Sequence, residues 1–209
     1  MARRTQQQEL VSLFAADGMT LDPALIPTDT AVSTYALIRD ETAERKAAAF
    51  RDTGSFDAAG SLSQENAEAF CRDFCKAFSY DTPIFTLDET GSGTATAVRL
   101  WSGTPVFNAA VTFTIDQGRV LSASGALLPE TGAETSSGQK PLSAFAALTA
   151  FQQMRHASSS VVSSITEVSL CYELQSTTAA PMALVPSWRI VTDTATFYVN
   201  CISGTVRRA

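Results

Sequence analysis

From Val185 to Val206 the chain reads VPSWRIVTDTATFYVNCISGTV, and this stretch permits few folds. Trp188 to Val191 suit a strand, Thr192-Asp193-Thr194 a turn, and Phe197 to Cys201 a second strand, before Ser203-Gly204 turns the chain again. So short a connection makes a β-hairpin, which pairs antiparallel. A similar pattern occurs earlier. VTFTIDQGRV (Val111 to Val120) aligns with FYVNCISGTV (Phe197 to Val206) so that Gly118 meets Gly204 and Val120 meets Val206. Phe113 then matches Val199, and Ile115 matches Cys201, on one strand face. The pattern predicts an antiparallel α+β chain built from two related units.

The elements in front of these strands repeat as well. Ser63 to Phe78 reads as a helix, with Ala67, Phe70, Cys71, Phe74 and Phe78 on one stripe and Ser63 as N-cap. Strands follow at Ile84 to Leu87, Thr94 to Trp101 and Val106 to Ile115. In the last, Phe107, Ala109, Val111, Phe113 and Ile115 share a face opposite Asn108, Thr112 and Thr114. A second helix is expected from Leu142 to Met154, its apolar side made by Ala144, Ala147, Leu148, Phe151 and Met154, with Gln152, Gln153 and His156 turned away. Strands at Ile165 to Leu174, Leu184 to Thr192 and Phe197 to Cys201 come after it. Ahead of both, Thr5 to Asp17 suits a short helix with Leu10, Leu13 and Phe14 on one face and Gly18 as its stop. Ser33 to Arg39 suits a strand, Glu41 to Phe50 a helix capped by Asp40, and Phe56 to Ala58 a short strand.

Composition narrows function mainly by exclusion. The formal net charge is −6 and the pI about 4.8, which does not suit a nucleic-acid partner, because cationic side chains supply most of that affinity. No apolar run approaches the roughly 20 residues that span a bilayer, and no signal-peptide core follows the basic, polar N-terminus. The chain is then either cytosolic or numbered from behind a removed anchor. Four cysteines, Cys71, Cys75, Cys171 and Cys201, form neither a disulfide framework nor paired zinc spacing. A Cys171–Cys201 bridge requires neighbouring strands; buried free thiols are the default reading.

No stretch carries recognisable catalytic chemistry. His156 is the only histidine and has no identifiable triad or metal partner in the sequence. Gly91-Ser92-Gly93 lacks phosphate-loop spacing and reads as a turn. Glu68 and Asp73 belong to a solvated helix face, and Asp81, Asp88 and Glu89 flank a strand. Cys71 and Cys75 lie four apart on a helix, a poor geometry for a redox pair. No metal or cofactor is expected. An enzyme would need polar groups such as Arg99, Asp116 and Arg189 to converge in a pocket. For partner binding the candidates are Trp188, Tyr198 and Asn200. Trp188 is by default a core residue and otherwise an aromatic platform. Tyr198 and Asn200 alternate with Val199 and Cys201, and so can line an exposed sheet face or an edge that accepts another strand.

TEVSLCYEL (Thr166 to Leu174), PSWRIVTD (Pro186 to Asp193) and FYVNCISGTV resemble the C-terminal unit of the YycH/YycI regulatory-protein family and the related PepSY-like module. LVSLFAADGMTLDPALIPT (Leu10 to Thr28) resembles the start of the extracytoplasmic part of such proteins. The resemblance implies two tandem PepSY/YycI-like helix–three-strand units: residues 1–130, a polar linker or loop at 131–140, and residues 141–209. It implies antiparallel sheets with helices packed on one face and a non-enzymatic protein-interaction role. Family members are typically tethered outside the membrane of Gram-positive bacteria by an N-terminal helix absent from this sequence, and some restrain a cell-wall-sensing histidine kinase of a two-component system. Alternatives are a PepSY-like module that inhibits or binds a peptidase, and a cytosolic ligand-binding protein.

Overall fold

A computed structural model describes residues 2–28, 32–38, 66–125, 128–135, 140–158, 161–176, 180 and 182–209. The chain forms two compact units. The first gathers Met1–Thr34, Thr135–Cys171 and Val185–Ala209, and the second Tyr35–Glu134 and Tyr172–Leu184. This differs from a division into 1–130 and 141–209. The apolar face of the N-terminal helix cannot be buried alone, and Leu10, Phe14, Met19 and Leu21 share a core with Phe151 and Trp188. The expected linker is also partly ordered: Thr131–Thr135 form strand β7, which pairs with β2 (Thr34–Ile38).

In the first unit, helix α1 (Ala2–Ala16) ends where Gly18 takes φ 74° and the Met19 amide closes on the Phe14 carbonyl at 2.9 Å. Leu10 and Phe14 are buried, whereas Leu13 is 46% exposed and lies off the expected face. Strand β1 (Thr20–Leu21) runs parallel beside β8 (Ser164–Gln175), so the sheet is not wholly antiparallel. Four strands follow one another in space as in sequence: β8, β9 (Ala183–Thr192), β10 (Thr196–Asn200) and β11 (Val206–Arg208). Helix α3 (Ala144–Ser158) starts at Ser143, whose hydroxyl accepts from the Ala146 amide at 3.3 Å. It lays Ala147, Leu148 and Phe151 on Trp188, Ile190, Phe197 and Val199, with Phe151 and Phe197 edge to face at 5.0 Å.

The second unit repeats the order. Helix α2 (Ala67–Ala77) is capped by Asn66, whose side chain accepts from the Ala69 amide; the expected Ser63 cap lies outside the described residues, as do the helix expected at 41–50 and the strand at 56–58. Then come β3 (Ile84–Leu87), β4 (Gly93–Trp101), β5 (Thr104–Asp116) and β6 (Arg119–Gly125), paired antiparallel in chain order. Cys71, Phe74 and Phe78 pack on Ala95, Val111, Phe113 and Ile115, with Phe74 edge to face on Phe113 at 5.3 Å. Each unit is thus an α+β layer pair, a helix followed by four sequential strands. The aligned residues do the same work in both: Phe113, Ile115, Val199 and Cys201 are buried, and Gly118 and Gly204 take φ 77° and 72°.

The alternation expected along β5 holds from Ala109 to Ile115 and fails at Phe107. Pairing with β4 jumps from Val98–Ala110 to Arg99–Val106, so Phe107, Asn108 and Ala109 bulge and Val106 becomes the buried residue. The bulge turns Asn108 toward the end of β8. Its amide donates to the Leu174 carbonyl and its oxygen accepts from the Leu174 amide, both at 2.8 Å, where the parallel bridge Val106–Tyr172 has stopped.

Candidate functional site

The hairpin of β9 and β10 fixes one row of side chains across the first unit. Arg189 lies opposite Tyr198, and Tyr198 opposite Arg207. These residues alternate with Trp188, Ile190, Phe197 and Val199, which face the helices, so the row occupies the other face. Arg189 Nη1 donates to Glu167 Oε1 at 2.6 Å, and the Ser169 hydroxyl donates to the same oxygen at 2.7 Å. Glu167 is held below the usual carboxylate range, first by the Ser169 hydrogen bond and then by Arg189. Burial and then the neighbouring Cys171 push the Tyr198 phenol up, against Arg189 and Arg207, which pull it down. Glu167, Arg189, Tyr198 and Arg207 therefore form a polar, aromatic row of one carboxylate and two guanidinium groups on four adjacent strands. Both members of the Glu167–Arg189 pair stay open to solvent, with side chains 47% and 36% exposed.

Of the three partner-binding candidates, Tyr198 and Asn200 lie on this face by strand alternation and Trp188 does not. Tyr198 is half-buried within the row. Trp188 is fully buried, and its indole N–H donates to the Leu142 carbonyl at 2.9 Å, so it is a core anchor and not a platform. Asn200 lies on the same strand, and its side-chain Oδ1 accepts from the amides of Ile202 and Ser203, each at 2.9 Å. It shapes the turn into β11, as asparagine does by closing on its own following backbone. Arg189 was legible as the residue opposite Tyr198 once the Asp193 turn set the register. Glu167 and Arg207 were not, because the β8–β9 and β10–β11 connections hide their register.

His156 does find partners. Its Nε2 lies 3.0 Å from Asp17 Oδ2 at the end of α1, and the Gln152 amide also donates to that oxygen. Gln152, expected to face outward, is 3% exposed for this reason. Arg155 adds a bond to the Asp17 carbonyl at 3.2 Å. This cluster ties α1 to α3. The three groups whose convergence would favour an enzyme have separate local partners. Arg99 is buried, donates to the Phe78 carbonyl and lies over the Tyr80 ring. Asp116 accepts from the Ser92 hydroxyl at 2.9 Å, and Arg189 is paired with Glu167. All four cysteines are free and buried, so the Cys171–Cys201 bridge is not formed; Cys171 donates to the Ser187 carbonyl while Cys201 enters the helix-facing core. Among the described residues, no cluster of His, Cys, Asp and Glu could hold a metal, and no helix is long and apolar enough to cross a membrane.

No family model matches the chain, and no curated protein matches it. Among solved structures it is similar to the Bacillus megaterium YpeB C-terminal domain, at 14% identity and a TM-score of 0.36, over 73% of this chain and 69% of that one. It is also similar to an uncharacterised protein from Eubacterium rectale, at 13% identity and a TM-score of 0.38, over 68% of this chain and half of that one. Overlaps at this level carry no assignment of family or function.

Proposed function

We propose that this chain is a non-enzymatic protein-interaction module that docks a partner protein on the sheet face of its first unit opposite α1 and α3. The observation that carries the reading is the row Glu167–Arg189–Tyr198–Arg207. Arginine and tyrosine are the side chains most enriched at binding hot spots, and here cross-strand pairing fixes their geometry before any partner arrives. The finer reading follows the YycH/YycI resemblance of Val185 to Val206: the folded part lies outside the cell, tethered to the membrane, and the partner is a sensor histidine kinase. A photo-crosslinking amino acid placed at Tyr198 in cells of the source organism tests both levels. A crosslinked protein that disappears when Arg189→Glu is added supports the docking face. If that protein is a sensor kinase, the finer reading stands; if it is a peptidase, the role moves to inhibition. No crosslinked protein, with the chain folded and expressed, rejects the face.

A further inference from the structure

We propose that the outer edge of β3 in the second unit takes up an extended segment of a partner polypeptide whose apolar residues are flanked by lysine or arginine. β3 ends the strand order β6–β5–β4–β3 and pairs only with β4 among the described residues. The Asp88 amide donates to the Ser92 carbonyl at 2.9 Å, so Asp88 belongs to a hydrogen-bonded pair, and counting back by twos Thr86 and Ile84 also face β4. The N–H and C=O groups of Phe85 and Leu87 then point to the open side.

An open edge of this kind is normally guarded. β11, which ends the strand order of the first unit, is short and carries Arg207 and Arg208. β3 is IFTL, with no charge inside the strand, and Ile84 and Leu87 are 71% and 44% exposed. It is also held in place. Asp88 Oδ1 accepts from the Thr90 amide at 2.8 Å, the Thr90 hydroxyl at 2.6 Å and the Ser92 amide at 3.0 Å, while the Ser92 hydroxyl ties that turn to Asp116. A strand added here meets a preformed template.

Charge selects the occupant. Asp81 precedes the strand, Asp88 and Glu89 follow it, all three are exposed, and no lysine or arginine occurs between residues 81 and 98. A second copy pairing through β3 would set acid against acid at both ends, which disfavours a homodimer. A basic-flanked strand places opposite charges there instead. This inference is independent of the sheet face around Tyr198.

The test uses the full chain and two short synthetic peptides of alternating valine and threonine, one ended by lysines and one by glutamates. The lysine peptide is expected to slow amide exchange at Phe85 and Leu87 and to bind about tenfold or more tighter than the glutamate peptide at low salt. Ile84→Lys, a change at an exposed position, is expected to weaken it about tenfold without altering the fold. Equal binding of both peptides, absence of protection at Phe85 and Leu87, or self-association that Ile84→Lys abolishes would each overturn the proposal.

Discussion

At the scale of single residues, the row at Tyr198 and the anchor at Trp188 come from one alternation. Trp188 is 0% exposed and its indole N–H is bonded to the Leu142 carbonyl, while the Leu142 amide donates to the Cys201 carbonyl at 2.8 Å. The backbone of one residue ahead of α3 is therefore clamped both to β9 and to the residue that follows β10. Trp188→Ala is expected to cost about 3–5 kcal/mol in denaturant unfolding, by cavity formation. Trp188→Phe keeps most of the ring, leaves the Leu142 carbonyl without this donor, and is expected to cost about 1–2 kcal/mol. A Trp188→Ala variant as stable as the parent would refute the anchor. Inside and outside were legible here because a strand has period two. Asn200 shows where that ends: its parity placed it beside Tyr198, but an asparagine just before a turn bonds its own following amides. Gln152 was illegible for another reason, since its partner Asp17 is 135 residues away.

At the scale of elements, hairpin closure is the point of greatest constraint. Gly93 takes φ 150°, and a Cβ there would lie 2.1 Å from the Thr86 carbonyl oxygen in the paired strand. Gly103 takes φ 80° with nothing within 4 Å of such a Cβ. Gly93→Ala is expected to be clearly more destabilising than Gly103→Ala, which carries only a backbone penalty of about 1 kcal/mol; equal thermal midpoints would contradict the close approach. The turns also carry carboxylates. Hydrogen bonds from the Thr90 hydroxyl and the Ser92 and Thr90 amides hold Asp88 below the usual range, and those from the Ser163 and Ser164 amides do so for Asp193. A carboxyl whose folded pKa is depressed adds stability above its unfolded pKa, and that contribution fades as pH falls through the folded value. The stability difference between the parent and Asp193→Asn is therefore expected at neutral pH, to shrink as pH falls below the ordinary carboxylate range, and to vanish once pH has fallen through the lowered folded value. A difference that persists in strong acid would mean the carboxylate charge is not what the turn uses. The elements themselves were largely legible from periodicity and turn residues. β1, β7 and β11 were missed because two to five residues in polar surroundings show no period, and the β5 bulge because the pairing partner decides it.

At the scale of the molecule, Cys71, Cys75 and Cys201 report on whether the helix-facing cores are closed, and Cys171 is buried outside them. Burial pushes Cys71, Cys75 and Cys201 up to about 12, helped at Cys71 by Cys75 and at Cys75 by Asp81. Native protein at pH 8 is expected to leave its thiols unreacted with a thiol-exchange reagent over minutes, and denaturant to release all four. Rapid native reaction would place at least one thiol outside its core. Fold class and the repeated order were readable from the chain; the unit boundaries were not, since they depend on which distant segment receives the face of α1. That last point governs how the protein is made. Because the first unit draws on Met1–Thr34, Thr135–Cys171 and Val185–Ala209, its leading helix emerges from the ribosome long before the strands that must cover it. Until those residues are synthesised, Leu10 and Phe14 stay exposed on a nascent chain, a standing invitation to chaperones and proteases. The second unit needs nothing beyond Leu184 and is free to close first.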